Sequence, residues 1–314
     1  SMSLKNFAQT LPQARLAVIN IGSGAVYKVF KKLCPHSDHK IVYLKCRKKE
    51  VSSALALCEK EGVFALVLGV AETALPQQSF SAAVITPAID LSQAYLRQLL
   101  CHRSLNYCAA LGFQTYLSPA GDIDTLKGRY CESLRLGALR EDIASAEPLL
   151  RDADYVWFDI TTVRASDAPQ RKHLTPNGLY AEEACQLLHY IALSNRTKVL
   201  FLHNFSTLAC LNKITTHLLA QLIWHLAEGL GEKIKEELLN ISENVAFKEI
   251  MVDMGLSGQE LYFLYSETTQ RWWIKVPCNK EDMRWIPCNR NDYQVACQGK
   301  VPVRWIWHYQ KLNY

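Results

Sequence analysis

From residue 15 to about residue 210, short runs of consecutive apolar residues alternate with stretches whose apolar positions recur every three to four residues. The runs LAVINIG, KIVYLKC, VFALVLG, SAAVITPAI, FQTYL, ADYVWFDI and KVLFLHNF predict strands. Ala25 to Leu33, Val51 to Gly62, Leu91 to Leu111, about Thr125 to Arg151, and Ala181 to Leu193 predict helices. Strands that are apolar along their whole length bury both faces, so the expected fold is α/β, a three-layer αβα arrangement around a mostly parallel sheet. Ligands of such sheets bind beyond the carboxyl ends of the strands. Farther on, Leu218, Leu219, Leu222, Ile223, Leu226, Leu230 and Ile234 share one face of a single long helix expected over Thr215 to Leu239.

After that helix the pattern changes. Five of the seven tryptophans (Trp272, Trp273, Trp285, Trp305, Trp307) fall in the last 43 residues, where LYFLYS and RWWIKVP read as a hairpin. The division expected is an α/β domain over 1–239 and an appended aromatic-rich subdomain over 240–314 packed on it, because so many rings in so short a segment need a surface to bury them.

Composition narrows the function classes. With 314 residues, 49% hydrophobic and 21% charged, the chain can bury a full core. The net charge of +5 reads as a mild excess spread along the chain, which argues against nucleic acid as a partner. No run suits a membrane span, and the N-terminus shows neither a signal-peptide core nor a cleavage pattern, so the expected location is cytoplasmic. Eleven cysteines without a CxxC pair are expected to be free thiols, most of them buried as small hydrophobes. The glycines of INIGSGA do not make a phosphate loop, and GxSxG and HExxH are absent from the sequence.

The specific signal is WFDITTVRASDAP followed by TPNGLYAEEACQLLHYIALS and KVLFLHNFS. Together with GFQTYL, RLGALREDI, EPLLRDAD, AQLIWHLAEG, RWWIKVP and PVRWIWHYQKL, these segments resemble the ureohydrolase superfamily of arginases, agmatinases and formimidoylglutamases. The likeness is greatest to the formimidoylglutamase-like branch from Bacteroidetes and spans roughly residues 60 to 314, with a shortened N-terminal part. It implies an arginase-like fold. It also implies hydrolysis of a guanidino or formimidoyl carbon–nitrogen bond by a hydroxide held between two manganese ions, whose charge several carboxylates must offset.

Position by position, the resemblance implies a degenerate metal site. Glu72 stands where a ligand histidine belongs, Thr86 and Ala88 occupy two further ligand positions beside a retained Asp90, and Thr161 replaces the second aspartate after a retained Asp159. Asn204 aligns with the glutamate that engages the substrate's cationic group. A bland alternative keeps Asp90 and Asp159 as turn or capping residues. His203 beside Asn204 reads as structural, with a general-base role as the sharper reading. Arg164 and Asp167 suit a local turn network, and the RWW, RW and RWIW series suits packing with cation–π contacts.

The expectation is therefore a protein without catalysis, metal or cofactor, acting through an unidentified protein or small-molecule ligand, away from membranes, and self-associating. Two rivals remain: a manganese-dependent hydrolase of a linear amidine with a rebuilt centre, and a nucleic-acid binder using the aromatic, basic C-terminus.

Overall fold

The computed structural model describes residues 2–34, 40–169, 175–205, 213–236, 238, 246–255, 260–279 and 282–313. Two compact units emerge, Ser1–Lys233 and Ile234–Tyr314.

In the first unit the elements follow in the order α1 (Leu4–Thr10), β1 (Leu16–Asn20), α2 (Ala25–Phe30), β2 (Ile41–Lys45), α3 (Val51–Lys60), β3 (Phe64–Leu68) and β4 (Phe80–Ile85). Then come α4 (Ala94–Leu100), β5 (Leu105–Leu111), α5 (Ala120–Gly128), β6 (Glu132–Leu134), α6 (Leu136–Glu141) and α7 (Ala146–Arg151). The unit closes with β7 (Tyr155–Asp159), α8 (Ala181–Leu193), β8 (Val199–His203) and α9 (Lys213–Glu232). The eight strands form one sheet in the order β2-β1-β3-β8-β7-β4-β5-β6, and every pairing in it is parallel.

Alternation along each strand explains why both faces are covered. Val18, Leu66, Ile85, Phe158 and Leu202 point into one core shared with α8 and α9. Ile19, Val67, Val84, Trp157 and Phe201 point into the other, with Phe7 of α1 and Leu96 and Leu99 of α4. A parallel sheet buried on both sides needs apolar residues at both parities, which is why β1, β3, β4 and β8 are buried at every position.

Several elements differ from the sequence reading. The helix expected over Leu91 to Leu111 is α4 followed by β5, because LNYCAAL pairs with β4 along its length and that pairing overrides a helix-like spacing. FQTYL contains a 3-10 turn at Thr115–Leu117 in place of a strand. The helix expected from Thr125 to Arg151 is broken into α5, β6, α6 and α7; Tyr130, with φ +49°, takes the left-handed backbone that ends α5. Helix α9 stops at Glu232, after Gly229 and Gly231, both poor helix formers, and Leu239 lies outside the described residues.

The second unit is an antiparallel sheet of β9 (Phe247–Asp253), β10 (Glu260–Ser266), β11 (Trp272–Cys278) and β12 (Asp282–Cys288), ordered β12-β11-β10-β9, with α10 (Arg290–Cys297) and α11 (Val303–Asn313). The expected hairpin is β10–β11, extended on either side by strands the sequence reading did not separate. Its aromatics pack on one another and on backbone. Trp272 stacks on Tyr293 and Trp305 on Tyr309, and the Trp305 indole N–H donates to the Lys275 carbonyl at 3.0 Å. Lys275 lies over the rings of Tyr262 and Trp285.

Among the described residues no helix is long and apolar enough to cross a membrane. The ten described cysteines are all free thiols.

Candidate functional site

The carboxyl ends of β3, β8, β7 and β4 lie side by side in the middle of the first unit's sheet, and the candidate metal-site positions read from the sequence lie on these strand ends and the loops that follow them. Asp159 ends β7, His203 ends β8 directly opposite it, Thr86 follows β4, and Glu72 sits in the loop after β3.

Asp159 is 1% exposed. Its Oδ1 accepts the Thr161 backbone N–H at 2.8 Å and the Thr161 hydroxyl at 2.6 Å, capping a 3-10 turn over Ile160–Thr162. Its Oδ2 accepts the Asn204 side-chain amide at 2.6 Å. Asn204 reaches it from a left-handed backbone, φ +62°, a conformation that asparagine adopts more readily than most residues. A carboxylate offers about four lone-pair positions, and three of them are taken here by the protein itself.

The other positions are also engaged. The Thr86 hydroxyl, fully buried, donates to the Ala88 carbonyl at 2.9 Å. Asp90 accepts the Ser92 N–H at 2.9 Å on its carboxylate and the Gln93 N–H at 3.2 Å on its carbonyl, a turn leading into α4. Glu72 is exposed and forms an ion pair with Lys48. Among the described residues, no three His, Cys, Asp or Glu side chains converge as a possible metal set.

His203 and Tyr95 meet edge to face, with ring centroids 4.8 Å apart. Nothing in the sequence marked Tyr95, which looks like one more apolar position of α4. Its hydroxyl lies beside Thr86, yet among the described residues neither it nor His203 Nε2 has a hydrogen-bond partner of sound geometry. Burial, with Asp159 alongside, pushes the Tyr95 phenol above its ordinary value. Burial likewise pushes His203 below its ordinary value, against the opposing pull of Asp159, Asn204 and Glu72. A histidine that is harder to protonate folded than unfolded stabilises the fold above the unfolded value of about 6.5, and that stability is lost as pH falls below it. Thermal unfolding scanned from pH 7.5 to 5 should therefore show a decline that the His203→Gln variant shows to a smaller degree.

Arg164 and Asp167 form a local network beside this edge. Arg164 Nε donates to Asp167 Oδ1 at 2.8 Å, and Asp167 Oδ2 accepts the Ala181 N–H at 3.0 Å, at the first residue of α8. The rings and charges continue through Tyr180, which lies between the guanidinium groups of Arg140 and Arg164 at 3.9 and 4.1 Å. The glycine of the Pro-Asn-Gly run has a physical reason: a Cβ on Gly178 would stand 2.5 Å from Arg164 N and 2.6 Å from Thr162 O, where β7's continuation bridges to Leu179.

No protein-family profile matches the sequence, and no curated protein matches it by sequence. Solved structures do match. Formiminoglutamase from Trypanosoma cruzi, solved with Mn2+, aligns at 15% identity over 70% of this chain and 95% of its own, with a TM-score of 0.59. Formimidoylglutamase from Bacillus subtilis aligns at 15% identity over 70% of this chain and 88% of its own, TM-score 0.56. Agmatine ureohydrolase from Thermoplasma volcanium aligns at 14% identity over 74% of this chain and 97% of its own, TM-score 0.54. The chain has the arginase-superfamily fold.

Proposed function

We propose that this arginase-fold protein no longer assembles the two-manganese centre that its resemblance implies, and that it acts by binding a partner or ligand and not by hydrolysis. The observation that carries the reading is that three of about four lone-pair positions of Asp159 are already taken by donors of the protein itself. An oxygen that already accepts two hydrogen bonds from Thr161, beside one held by the Asn204 amide, is a poor ligand for a divalent cation, because those donors would have to be displaced first.

The neighbouring positions point the same way. Two divalent ions at close range require several carboxylates to offset their charge. Ala88 offers no donor, the hydroxyls of Thr86 and Thr161 are neutral and occupied, and Glu72 is committed to Lys48. Asp159 and His203 then remain as buried polar groups, with the half-buried Asp90 and the exposed Asn204 at their margin. Its rival, an amidine hydrolase with a rebuilt centre, would need Asp159 to exchange its protein donors for metal.

Elemental analysis tests this. After incubation with excess manganese and exhaustive dialysis, the protein should retain well under one equivalent per chain. Two equivalents per chain surviving dialysis would refute the proposal.

A further inference from the structure

The overall charge of +5 conceals an uneven distribution. Residues 28–49 contain eight lysines and arginines and one acid, while the rest of the chain carries 27 lysines and arginines against 29 acids. The whole positive excess thus sits in one stretch, contrary to the even spread read from composition. The fold gathers much of it. Helix α2 carries Lys28, with Lys31 and Lys32 just past its end; β2, the outermost strand of the sheet, is preceded by Lys40 and ends on Lys45; Arg47, Lys48 and Lys49 follow. Tyr27 of α2 stacks on Tyr43 of β2 at 4.0 Å, joining the two elements, and Lys31 lies over the Tyr27 ring.

All eight of these cations are exposed. Arg47 pairs with Glu50 and Lys48 with Glu72. Among the described residues, Lys28, Lys31, Lys32, Lys40, Lys45 and Lys49 have no acidic partner; Lys40 donates to the neutral Gln13. Lysines on an open strand also deter edge-to-edge pairing. That accounts for Lys40 and Lys45 at β2, and the helix dipole favours Lys28 and Lys31 at the end of α2, which leaves Lys32 and Lys49 without such a reason.

We propose that this face binds the phosphate backbone of a duplex nucleic acid without reading its sequence. A duplex presents about one negative charge per 1.7 Å of axis, a density that several exposed cations on adjoining elements complement. A single strand adds affinity by stacking bases on free aromatic faces, and here Tyr27 is already covered by Tyr43, Phe30 and Lys31. A lipid surface is usually engaged through exposed apolar side chains, and among the described residues none of the large exposed hydrophobic side chains falls within 25–49. These cations belong to the first unit, and the proposal is independent of the reading of the Asp159 edge.

The test is fluorescence anisotropy of a labelled 20-base-pair DNA duplex with the full chain. Six phosphate contacts predict an affinity that falls about 10³-fold between 50 and 200 mM salt. Reversing Lys28, Lys31, Lys32, Lys45 and Lys49 to glutamate should abolish binding, and changing the same five to glutamine, a gentler set, should weaken it more than tenfold. Reversing five exposed lysines elsewhere (Lys5, Lys60, Lys127, Lys213 and Lys300) gives the same net charge and should change affinity less than threefold. Circular dichroism reports that each variant is folded. The proposal is overturned by no binding at 50 mM salt, by equal losses in the patch and control variants, or by tighter binding to a single strand of the same length or to phosphatidylserine vesicles.

Discussion

Replacing Trp157 by alanine is expected to cost about 3–5 kcal/mol, the range for removing a large aromatic from a packed core. Trp157 is 1% exposed, in the middle of β7, and its ring lies 4.9 Å from that of Phe201 on the neighbouring strand at an interplanar angle of 16°. Its indole N–H donates to the Ala71 carbonyl at 3.0 Å, so the same side chain also ties down the loop that carries Glu72. For a unit of this size the loss corresponds to a fall in melting temperature of roughly 10 °C. The Trp157→Phe variant separates the two contributions. It keeps most of the ring contact and loses the donor, and should cost about 1–3 kcal/mol, the penalty of leaving the part-buried Ala71 carbonyl without its partner. Scanning calorimetry of the three proteins checks both numbers; equal melting temperatures would show that the central strands are not packed as described.

The second large effect is expected from Asn204→Asp. Aspartate tolerates the left-handed backbone at this position, so the change adds little strain and mainly exchanges a donor for a second carboxylate. That carboxylate would face Asp159 Oδ2 across a contact of 2.6 Å with no cation between them. Two carboxyls this close cannot both ionise, and the pair holds one proton well above the ordinary carboxyl range. A carboxyl whose folded value is raised above its unfolded one costs nothing while both states are protonated and costs progressively more as pH rises. The variant should therefore match the parent near pH 4 and be about 3–4 kcal/mol less stable near pH 7, which corresponds to a rise of between two and three pH units. Urea melts at the two pH values decide it. A variant as stable as its parent at pH 7 would mean that the Asp159–Asn204 contact does not exist.

The layered fold was legible because β1, β3, β4 and β8 are apolar at both parities, a pattern that only a doubly covered strand requires. Strand β5 was hidden for a definite reason. The apolar residues of LNYCAAL continue those of α4, and only the register with β4, Ala82 against Cys108 and Val84 against Ala110, makes the segment extended. Strand β6 is three residues long and carries no periodicity to read. At the candidate site the sequence marked Asp159 and Asn204 separately. That they form one hydrogen-bonded unit depends on β7 and β8 being neighbours and on the backbone of Asn204 turning left-handed, facts of tertiary structure across 45 residues. Tyr95 escaped notice because burial gives a helix tyrosine the same signature as any core residue.

Those features also bear on whether catalysis could be restored. The combined change Glu72→His, Thr86→Asp, Ala88→His, Thr161→Asp and Asn204→Glu supplies the ligand types implied by the resemblance, because a dinuclear centre acts as a unit and single replacements leave unbalanced charge. Yet Asn204→Glu places a longer side chain on a left-handed backbone, and Thr161→Asp removes the hydroxyl that holds Asp159. The direct measurement uses the unmodified protein, excess manganese, and arginine, agmatine and formimidoylglutamate as separate substrates, with product release followed over hours. The account predicts no hydrolysis above the uncatalysed background for any of the three; manganese-dependent turnover that disappears in the Asp159→Ala variant would contradict it.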